Sequence, residues 1–202
     1  MVDWAIRDRV LSTADRTLIM GVVNVTPDSF SDGGRFLGAE RAIEHGLRLH
    51  TDGADLVDVG GESSRPGAAP VTAAEEIRRV IPVIAGLTEA GVPVSVDTSK
   101  PEVAAAALEA GALVVNDITA FGDPEMAPLV AAAGCGAVLM HMQGTPQSMQ
   151  DDPTYVDVAA EVGGFLVKRA ISAEEAGVER KHICIDPGIG FGKAQHHNLQ
   201  LL

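Results

Sequence analysis

The chain has 202 residues, of which 46% are hydrophobic but only 3% aromatic, and its formal net charge is −13. That length suits one domain with a substantial core, and the aliphatic, glycine-rich composition favours buried parallel strands that alternate with helices. The negative charge argues against an extended nucleic-acid surface and against an anionic membrane surface. An anionic small-molecule substrate would therefore need locally placed cations or a metal ion.

The sequence carries no sign of export or of membrane insertion. Residues 1–9 are charged and contain no apolar segment of the kind a secretory signal needs. Every apolar run is too short to span a bilayer. Cys135 and Cys184 lie in or beside apolar runs and are expected to be buried thiols. We therefore expect a cytoplasmic protein.

One module recurs along the chain: a helix that ends at a glycine, a short apolar strand, and a polar residue where the strand ends. The first strand covers 17–23, and a helix follows from Ala39 to Asp52. Thr72 is a predicted N-cap for the second helix, which Pro82 should kink or restart. The remaining predicted strands are 56–60, 94–97, 114–117, 137–141 and 183–186, and the remaining helices are 101–110, 124–134 and 156–176.

Six strands and five complete helices in strict alternation predict a parallel α/β sheet with right-handed crossovers. An open doubly wound sheet could be finished with six strands, whereas a barrel needs about 250 residues. Polar groups nevertheless follow every strand, and only in a barrel do all strand ends face one mouth. These groups are Asn24, Asp58, Asp97, Asn116, Asp117, His141 and Asp186. The pattern favours a (β/α)8 TIM barrel, present here as a single domain, 1–202, that lacks the last two β/α units.

Two loops at this mouth carry unusual chemistry. Residues 24–34 contain an amide, two carboxylates, three hydroxyls and a phenylalanine, and residues 60–67 hold Ser64 and Arg65. Both loops are candidates for a mobile lid. The Arg65 guanidinium suits phosphate or carboxylate oxygens. The Asn24 side chain offers a neutral oxygen to a hard cation such as Mg²⁺.

Three strand-end residues could read the edge of a flat heterocycle: Asp97, Asn116 and Asp186. Met140 could lie under such a ring, although packing in the core is an equal alternative. His141 is interpreted as a hydrogen-bonded structural histidine. The glycine-rich run 188–193 does not have the dinucleotide-binding spacing, and His197 is predicted to lie in a solvated turn.

The same residues resemble the dihydropteroate synthase family. Its first signature is similar to residues 20–34, MGVVNVTPDSFSDGG, and its second to residues 58–67, DVGGESSRPG. Residues 95–98, 115–117, 139–144 and 186–193 continue in the order of the family. The resemblance covers the chain from Thr17 onward.

The resemblance implies a barrel enzyme of folate biosynthesis. Such a transferase joins 4-aminobenzoate to (7,8-dihydropterin-6-yl)methyl diphosphate and releases 7,8-dihydropteroate and diphosphate. By position in the motifs, Asn24 is expected to bind Mg²⁺ and Ser64 to contact the diphosphate. Asp97, Asn116 and Asp186 would hold the pterin, with Met140 beside it. Asp32 would help stabilise the pterin-methyl cation, and Phe30, Arg65, Pro66 and Phe191 would frame the aminobenzoate. Asp32, Arg65 and Asp97 are the residues expected to take part in catalysis.

The family pattern also includes a Ser-Arg-Lys motif and an Arg-x-His motif in late segments that these 202 residues do not contain. We therefore expect this chain alone to be inactive and poorly stable, because an unclosed barrel leaves two strand edges unpaired. A homodimer is usual for the family and doubtful for this chain. Two other readings stay open: the pterin-binding barrel of a corrinoid methyltransferase, and a non-catalytic pterin binder.

Overall fold

The strands form two sheets. The computed structural model describes residues 3–26, 34–65 and 67–202, with the backbone alone for residues 34–37. The first sheet is an antiparallel hairpin of β1, Asp3–Ile6, and β2, Arg9–Ser12. The second is parallel and consists of β3 Met20–Asn24, β4 Leu56–Gly60, β5 Val94–Asp97, β6 Val114–Asp117, β7 Gly136–Met140 and β8 Ile183–Asp186.

Helices connect the strands of the parallel sheet. They are α1 Gly34–Thr51, α2 Ala73–Glu89, α3 Pro101–Glu109, α4 Met126–Ala133, α5 Val158–Glu175 and α6 Gln195–Leu201, with a short 3-10 helix at Arg180–His182. Within the described ranges, none of these helices has the length and apolar character needed to cross a membrane. Left-handed glycines follow the helices as predicted, for example Gly53 and Gly134.

The parallel strands follow one another in chain order, β3-β4-β5-β6-β7-β8. A doubly wound sheet reverses its strand order at a switch point, and this sheet has no reversal among its strands. The doubly wound alternative is therefore wrong, and the winding is of the kind found in barrels. β3 and β8 are the two outer strands of the described sheet.

The face of the parallel sheet that meets the helices is built from β-branched and aliphatic residues. Successive side chains of a strand point to opposite faces, so every second residue belongs to this layer. It packs with α2, α3 and α4 into the main core. Its members on the sheet are Val23, Val57, Val59, Val94, Val96, Val115, Ala137 and Leu139.

The opposite face, which we call the inner face, is apolar at the amino ends of the strands. The β1-β2 hairpin covers this region, and Ile6 packs there with Leu56, Val114 and Val138. The hairpin is fixed by a hydrogen bond from the Trp4 indole nitrogen to the His182 carbonyl, 2.7 Å. Sequence analysis did not predict the hairpin, because its strands are only four residues long, too short to show a clear alternation of apolar and polar residues.

The Thr72 cap is confirmed, since its hydroxyl accepts a hydrogen bond from the Glu75 amide at 3.3 Å. Of the two effects expected of Pro82, the restart is wrong, because α2 runs without interruption from Ala73 to Glu89, and the kink stays a prediction. Pro82 is on the exposed side of the helix. Water can therefore satisfy the Arg78 carbonyl that lacks a helical donor, which lowers the cost of the proline.

The hairpin should be a stability element. Ile6 is fully buried, and its Cγ2 atom lies 2.6 Å from the place where a side-chain carbon on Gly136 would stand. Truncation by Ile6→Ala should lower the free energy of unfolding by about 2–5 kcal/mol, through lost transfer energy and a cavity. Urea denaturation measures the change.

A matched control lies in the same hairpin. Val10 is 63% exposed, and Val10→Ala should change the free energy of unfolding by less than about 0.5 kcal/mol. Equal effects of the two substitutions would show that the hairpin does not close the amino end of the inner face.

Candidate functional site

Polar side chains gather at the carboxyl end of the inner face. Strand pairing aligns Asn24 with Gly60, Gly60 with Asp97, and Asp97 with Asn116. Asn116 also aligns with Val138, two residues before Met140, and Met140 aligns with Asp186. Residues in register, and residues two apart on one strand, point to the same face. The structure therefore places the predicted strand-end residues in one cup, which we call the acidic cup: Asn24, Asp97, Asn116, Met140 and Asp186.

Asp58 lies one layer deeper in the acidic cup and fixes the orientation of Asn116. The Asn116 side-chain nitrogen donates to Asp58 Oδ2 at 2.9 Å. Asp58 is 4% exposed, and its other oxygen, Oδ1, has no hydrogen-bond partner among the described residues. Because the amide nitrogen of Asn116 is engaged, its Oδ1 atom is the part available to a ligand. Asn116 therefore acts as a hydrogen-bond acceptor in the cup.

Asp97 is the most perturbed acid of the cup. Burial raises its pKa well above the usual value, and the carboxylates of Asp58, Asp117, Glu76 and Glu62 raise it further. Asp58 also has a raised pKa because of burial, but its hydrogen bond from Asn116 opposes the shift. Asp97 has the stronger tendency to hold a proton, so it can donate as an acid or accept as a carboxylate.

The loop after β4 is tied down by charged groups behind the cup. Lys100 forms ion pairs with Glu62 of this loop and with Glu76 of α2, the second at 2.6 Å. The Arg79 guanidinium donates to the Gly61 carbonyl at 2.9 Å. These contacts fix the first half of the segment that continues to the half-buried Ser64 and the exposed Arg65. Arg65 is therefore held near the mouth with its side chain in solvent.

The loop after β8 forms the opposite wall of the acidic cup. Asp186 Oδ1 accepts a hydrogen bond from the Gly188 amide at 2.7 Å, which leaves Oδ2 for a ligand. Phe191 is half-buried in the same loop. Met140 is 4% exposed, and its Cγ atom would lie 3.2 Å from a side-chain carbon on Gly188. Met140 thus supports this loop as well as the inner face.

The donor set around Asn24 fits a hard cation. A side-chain carbon on Gly60 would lie 3.3 Å from Asp97 Oδ2 and 3.5 Å from Asn24 Oδ1, so a neutral and an acidic oxygen border the glycine. Oxygen donors of this kind suit Mg²⁺, which keeps several waters and needs few protein ligands. Within the described residues, His, Cys, Asp and Glu form no group of three that could hold a metal by themselves.

Some predicted site residues are positioned differently or lie outside the description. Asp117 was expected at the mouth, but its carboxylate faces its own turn and accepts from the Thr119 and Phe121 amides at 2.7 and 2.9 Å. The solvated turn predicted for His197 is wrong, since this side chain is 6% exposed in α6. Phe30, Asp32 and Pro66 lie outside the described residues.

The structural interpretation of His141 is confirmed, because its imidazole is buried against Phe165 with ring centroids 4.9 Å apart. Three residues behind the site have contacts that were not predicted. They are Asp58, which contacts Asn116, Lys100, which contacts Glu62, and Lys193, which contacts His141. Their partners lie 58, 38 and 52 residues away in the sequence, respectively. A local pattern cannot show such contacts.

Comparison with known proteins identifies relatives of the whole described sheet. A family model described as pterin binding enzyme matches residues 20–202. The dihydropteroate synthase of Escherichia coli (strain K12) is 45% identical over 185 residues, which cover 91% of this chain and 66% of that protein. This chain therefore spans slightly under two thirds of the length of that relative.

Solved structures agree with the sequence relatives. Dihydropteroate synthase from Xanthomonas albilineans with 4-aminobenzoic acid superposes with a TM-score of 0.89 at 51% identity, covering 98% of this chain and 71% of that one. A second structure of that synthase, in complex with 7,8-dihydropteroate, has a TM-score of 0.86 at 48% identity, with coverages of 98% and 70%.

The acidic cup should cost stability at neutral pH. A carboxyl with a raised pKa in the folded state stabilises the fold fully below its unfolded pKa near 3.8, and this contribution is lost as the pH rises through the folded pKa. Because the amide in Asp97→Asn cannot ionise, this variant does not lose that stability as the pH rises. It should raise the free energy of unfolding by about 0.5–2 kcal/mol at pH 8, and the gain should shrink toward pH 4.

Denaturation of both proteins across that pH range measures the effect. The control is Asp152→Asn at an exposed position, where a change within about 0.5 kcal/mol is expected at every pH. A loss of stability on Asp97→Asn at pH 8 would show that the Asp97 carboxylate is well compensated in the folded protein.

Proposed function

We propose, since the chain belongs to the pterin-binding enzyme family, that it provides the pterin-binding cup of a dihydropteroate synthase, a transferase of folate biosynthesis. It would join 4-aminobenzoate to (7,8-dihydropterin-6-yl)methyl diphosphate and release diphosphate. The observation that carries the proposal is the acidic cup, with Asp97, Asn116 and Asp186 on one face. The similarity to the Escherichia coli synthase, and the 4-aminobenzoic acid and 7,8-dihydropteroate in the Xanthomonas albilineans structures, support it.

The acidic cup is chemically suited to a pterin. The aminopyrimidinone edge of a pterin is rich in N–H donors. Asn116 Oδ1 and Asp186 Oδ2 offer acceptors because the other polar atom of each side chain is engaged within the protein. Asp97 can accept or donate a proton beside them. A flat ring held by these groups would lie near Met140.

Charge explains how the same residues would assist the reaction. Departure of diphosphate leaves positive charge on the pterin-methyl group, and carboxylates that bind the ring stabilise that charge electrostatically. Asn24, with Asp97 nearby, would hold Mg²⁺, which neutralises the leaving diphosphate when bound. Arg65 and Ser64 would contact anionic groups at the mouth. Three residues outside the described ranges keep their predicted roles: Asp32 would help stabilise the pterin-methyl cation, and Phe30 and Pro66 would frame the aminobenzoate together with Arg65 and Phe191.

The fold proposal is a (β/α)8 barrel in which the described sheet forms six strands in sequence. The sequential order, the division into a helix-covered face and an inner face, and the similarity to the solved synthases support it. Val22 on β3 and Ile185 on β8 are 54% and 53% exposed, as expected for outer strands that further strands and helices would cover. A cytoplasmic location remains a prediction, and the homodimer that is usual for the family stays doubtful for this chain.

Ordered ligand binding tests the proposed function. Calorimetry with the 202-residue chain and Mg²⁺ should show binding of pterin diphosphate, and 4-aminobenzoate should bind only after it. Pterin binding without any aminobenzoate site would favour a methyltransferase barrel or a non-catalytic pterin binder. We expect little dihydropteroate formation by these residues alone, because β3 and β8 each have an unpaired edge in the described sheet. Turnover comparable to the Escherichia coli synthase would refute this second expectation.

Two substitutions of Asp58 test how the pterin is recognised. Asp58→Asn can still accept the hydrogen bond from Asn116, so pterin affinity should fall less than about tenfold. Asp58→Ala removes the acceptor, frees the Asn116 amide to rotate, and should weaken binding by about 10–100-fold, the equivalent of about 1.4–2.8 kcal/mol. Calorimetric titration of both variants makes the comparison. Equal losses would mean that the charge of Asp58 matters and the orientation of Asn116 does not.

A further inference from the structure

The loop after β8 rests directly on the segment after β7. Gly188 and Gly192 make the closest contacts: an added side-chain carbon would stand 2.0 Å from the His141 carbonyl oxygen or 2.6 Å from the Gln143 carbonyl oxygen. Both glycines have positive φ, 66° and 60°. The two glycines therefore let the loop approach the His141 and Gln143 carbonyl oxygens closely, and carbonyl oxygens enclosed in this way need hydrogen-bond donors.

Lys193 supplies that donor. Its ammonium lies 2.9 Å from the Gly188 carbonyl, 2.9 Å from the Phe191 carbonyl and 3.2 Å from the His141 carbonyl. It also lies 3.0 Å from the Nδ1 atom of the His141 imidazole. The Lys193 side chain is 3% exposed. Four acceptors from two loops thus surround one buried cation.

His141 is in the right protonation state for this arrangement. Burial, followed by the positive charge of Lys193, lowers the pKa of His141 from 6.5 to about 4. The imidazole is therefore neutral at physiological pH, and its Nδ1 atom can accept a hydrogen bond from the ammonium. Packing against Phe165 and Tyr155 fixes the plane of the ring.

We propose that Lys193 is a positioning residue that holds the loop after β8 in the geometry required for ligand binding. The loop carries Phe191, and its first amide, that of Gly188, holds one oxygen of Asp186. The Lys193 ammonium binds the carbonyls of these same two loop residues, Gly188 and Phe191. A shift of the loop would therefore move the Asp186 carboxylate and the Phe191 ring together. Lys193 itself faces the carbonyl cage rather than the acidic cup.

Hydrogen exchange tests this positioning without any ligand. In Lys193→Met the alkyl stem remains and the ammonium is lost. The amides of Gly188, Gly190 and Phe191 should then exchange at least about tenfold faster, since their hydrogen bonds lie within or beside the loop. Amides of β5 should be unchanged. The matched control is Lys168→Met, at an exposed position of α5, which should alter neither set.

Ligand binding tests the consequence, which rests on the proposed function. Calorimetry should show pterin diphosphate affinity at least about tenfold weaker in Lys193→Met than in Lys168→Met. The smaller Lys193→Ala leaves a cage of carbonyl oxygens that can take up ammonium. Added ammonium chloride should therefore slow exchange in the loop and restore part of the affinity, whereas sodium chloride at equal ionic strength should not.

The outcomes separate the two proposals. If the unaltered chain does not bind the pterin, the proposed function fails, and the exchange data still decide the role of Lys193. Unchanged exchange in Lys193→Met overturns the positioning role. If that variant does not fold, His141→Phe removes one acceptor and keeps an aromatic ring beside Phe165. Faster exchange confined to residues 188–191 in His141→Phe supports the proposal, and unchanged exchange there overturns it.

Discussion

The alternation of side chains along six parallel strands is the constraint on which the other features depend. Each strand must present aliphatic residues to the helices at every second position. The intervening positions point to the inner face, and their residues differ between the two ends of each strand. At the amino ends they are apolar and lie under the hairpin that contains Ile6. At the carboxyl ends they hold Asp97, Asn116 and Asp186. The register of the strands therefore fixes both the apolar layer under the hairpin and the acidic cup.

The acidic cup concentrates negative charge in a protein that is already anionic. Asp58 is buried and Asp97 half-buried, and the carboxylates of Glu62 and Glu76 lie near enough to raise the pKa of Asp97. Such an arrangement is unfavourable for folding and favourable for a ligand that brings N–H donors or positive charge. The expected cost of the acidic cup to folding and its suitability for a positively charged ligand thus have the same electrostatic origin.

The sequence was sufficient to predict the sheet, because each strand is a short apolar run and each helix ends at a glycine. It also predicted the residues of the acidic cup, since a polar residue that closes a buried strand stands out locally. Two kinds of feature were beyond it. The strands of the hairpin are too short to show a hydrophobic periodicity. The role of the hairpin in covering the inner face appears only in the packing of Ile6 against Val114 and Val138. Pro82 was misjudged because its exposure depends on how α2 packs.

Asp117 shows the limit of the strand-end argument. It follows Asn116 directly, so the pleat turns its side chain to the opposite face, where it holds the turn at Thr119 and Phe121. Adjacent polar residues at a strand end cannot both face the same cup. The sequence correctly predicted that both residues stand at the end of β6. The register of β6 against β5 decided which of the two faces the acidic cup.

A basic side chain holds each of three loops around the acidic cup. Lys100 ties the loop after β4 to α2, Arg169 of α5 donates to the Ala120 and Phe121 carbonyls in the loop after β6, and Lys193 gathers the loop after β8. Each cation contacts the back of its loop, through carbonyl oxygens or a carboxylate. Placed this way, a positive charge stabilises loop geometry and still leaves the ligand-facing oxygens unpaired. A chain with 28 acidic and only 15 basic side chains thus uses three of its cations to shape the cup.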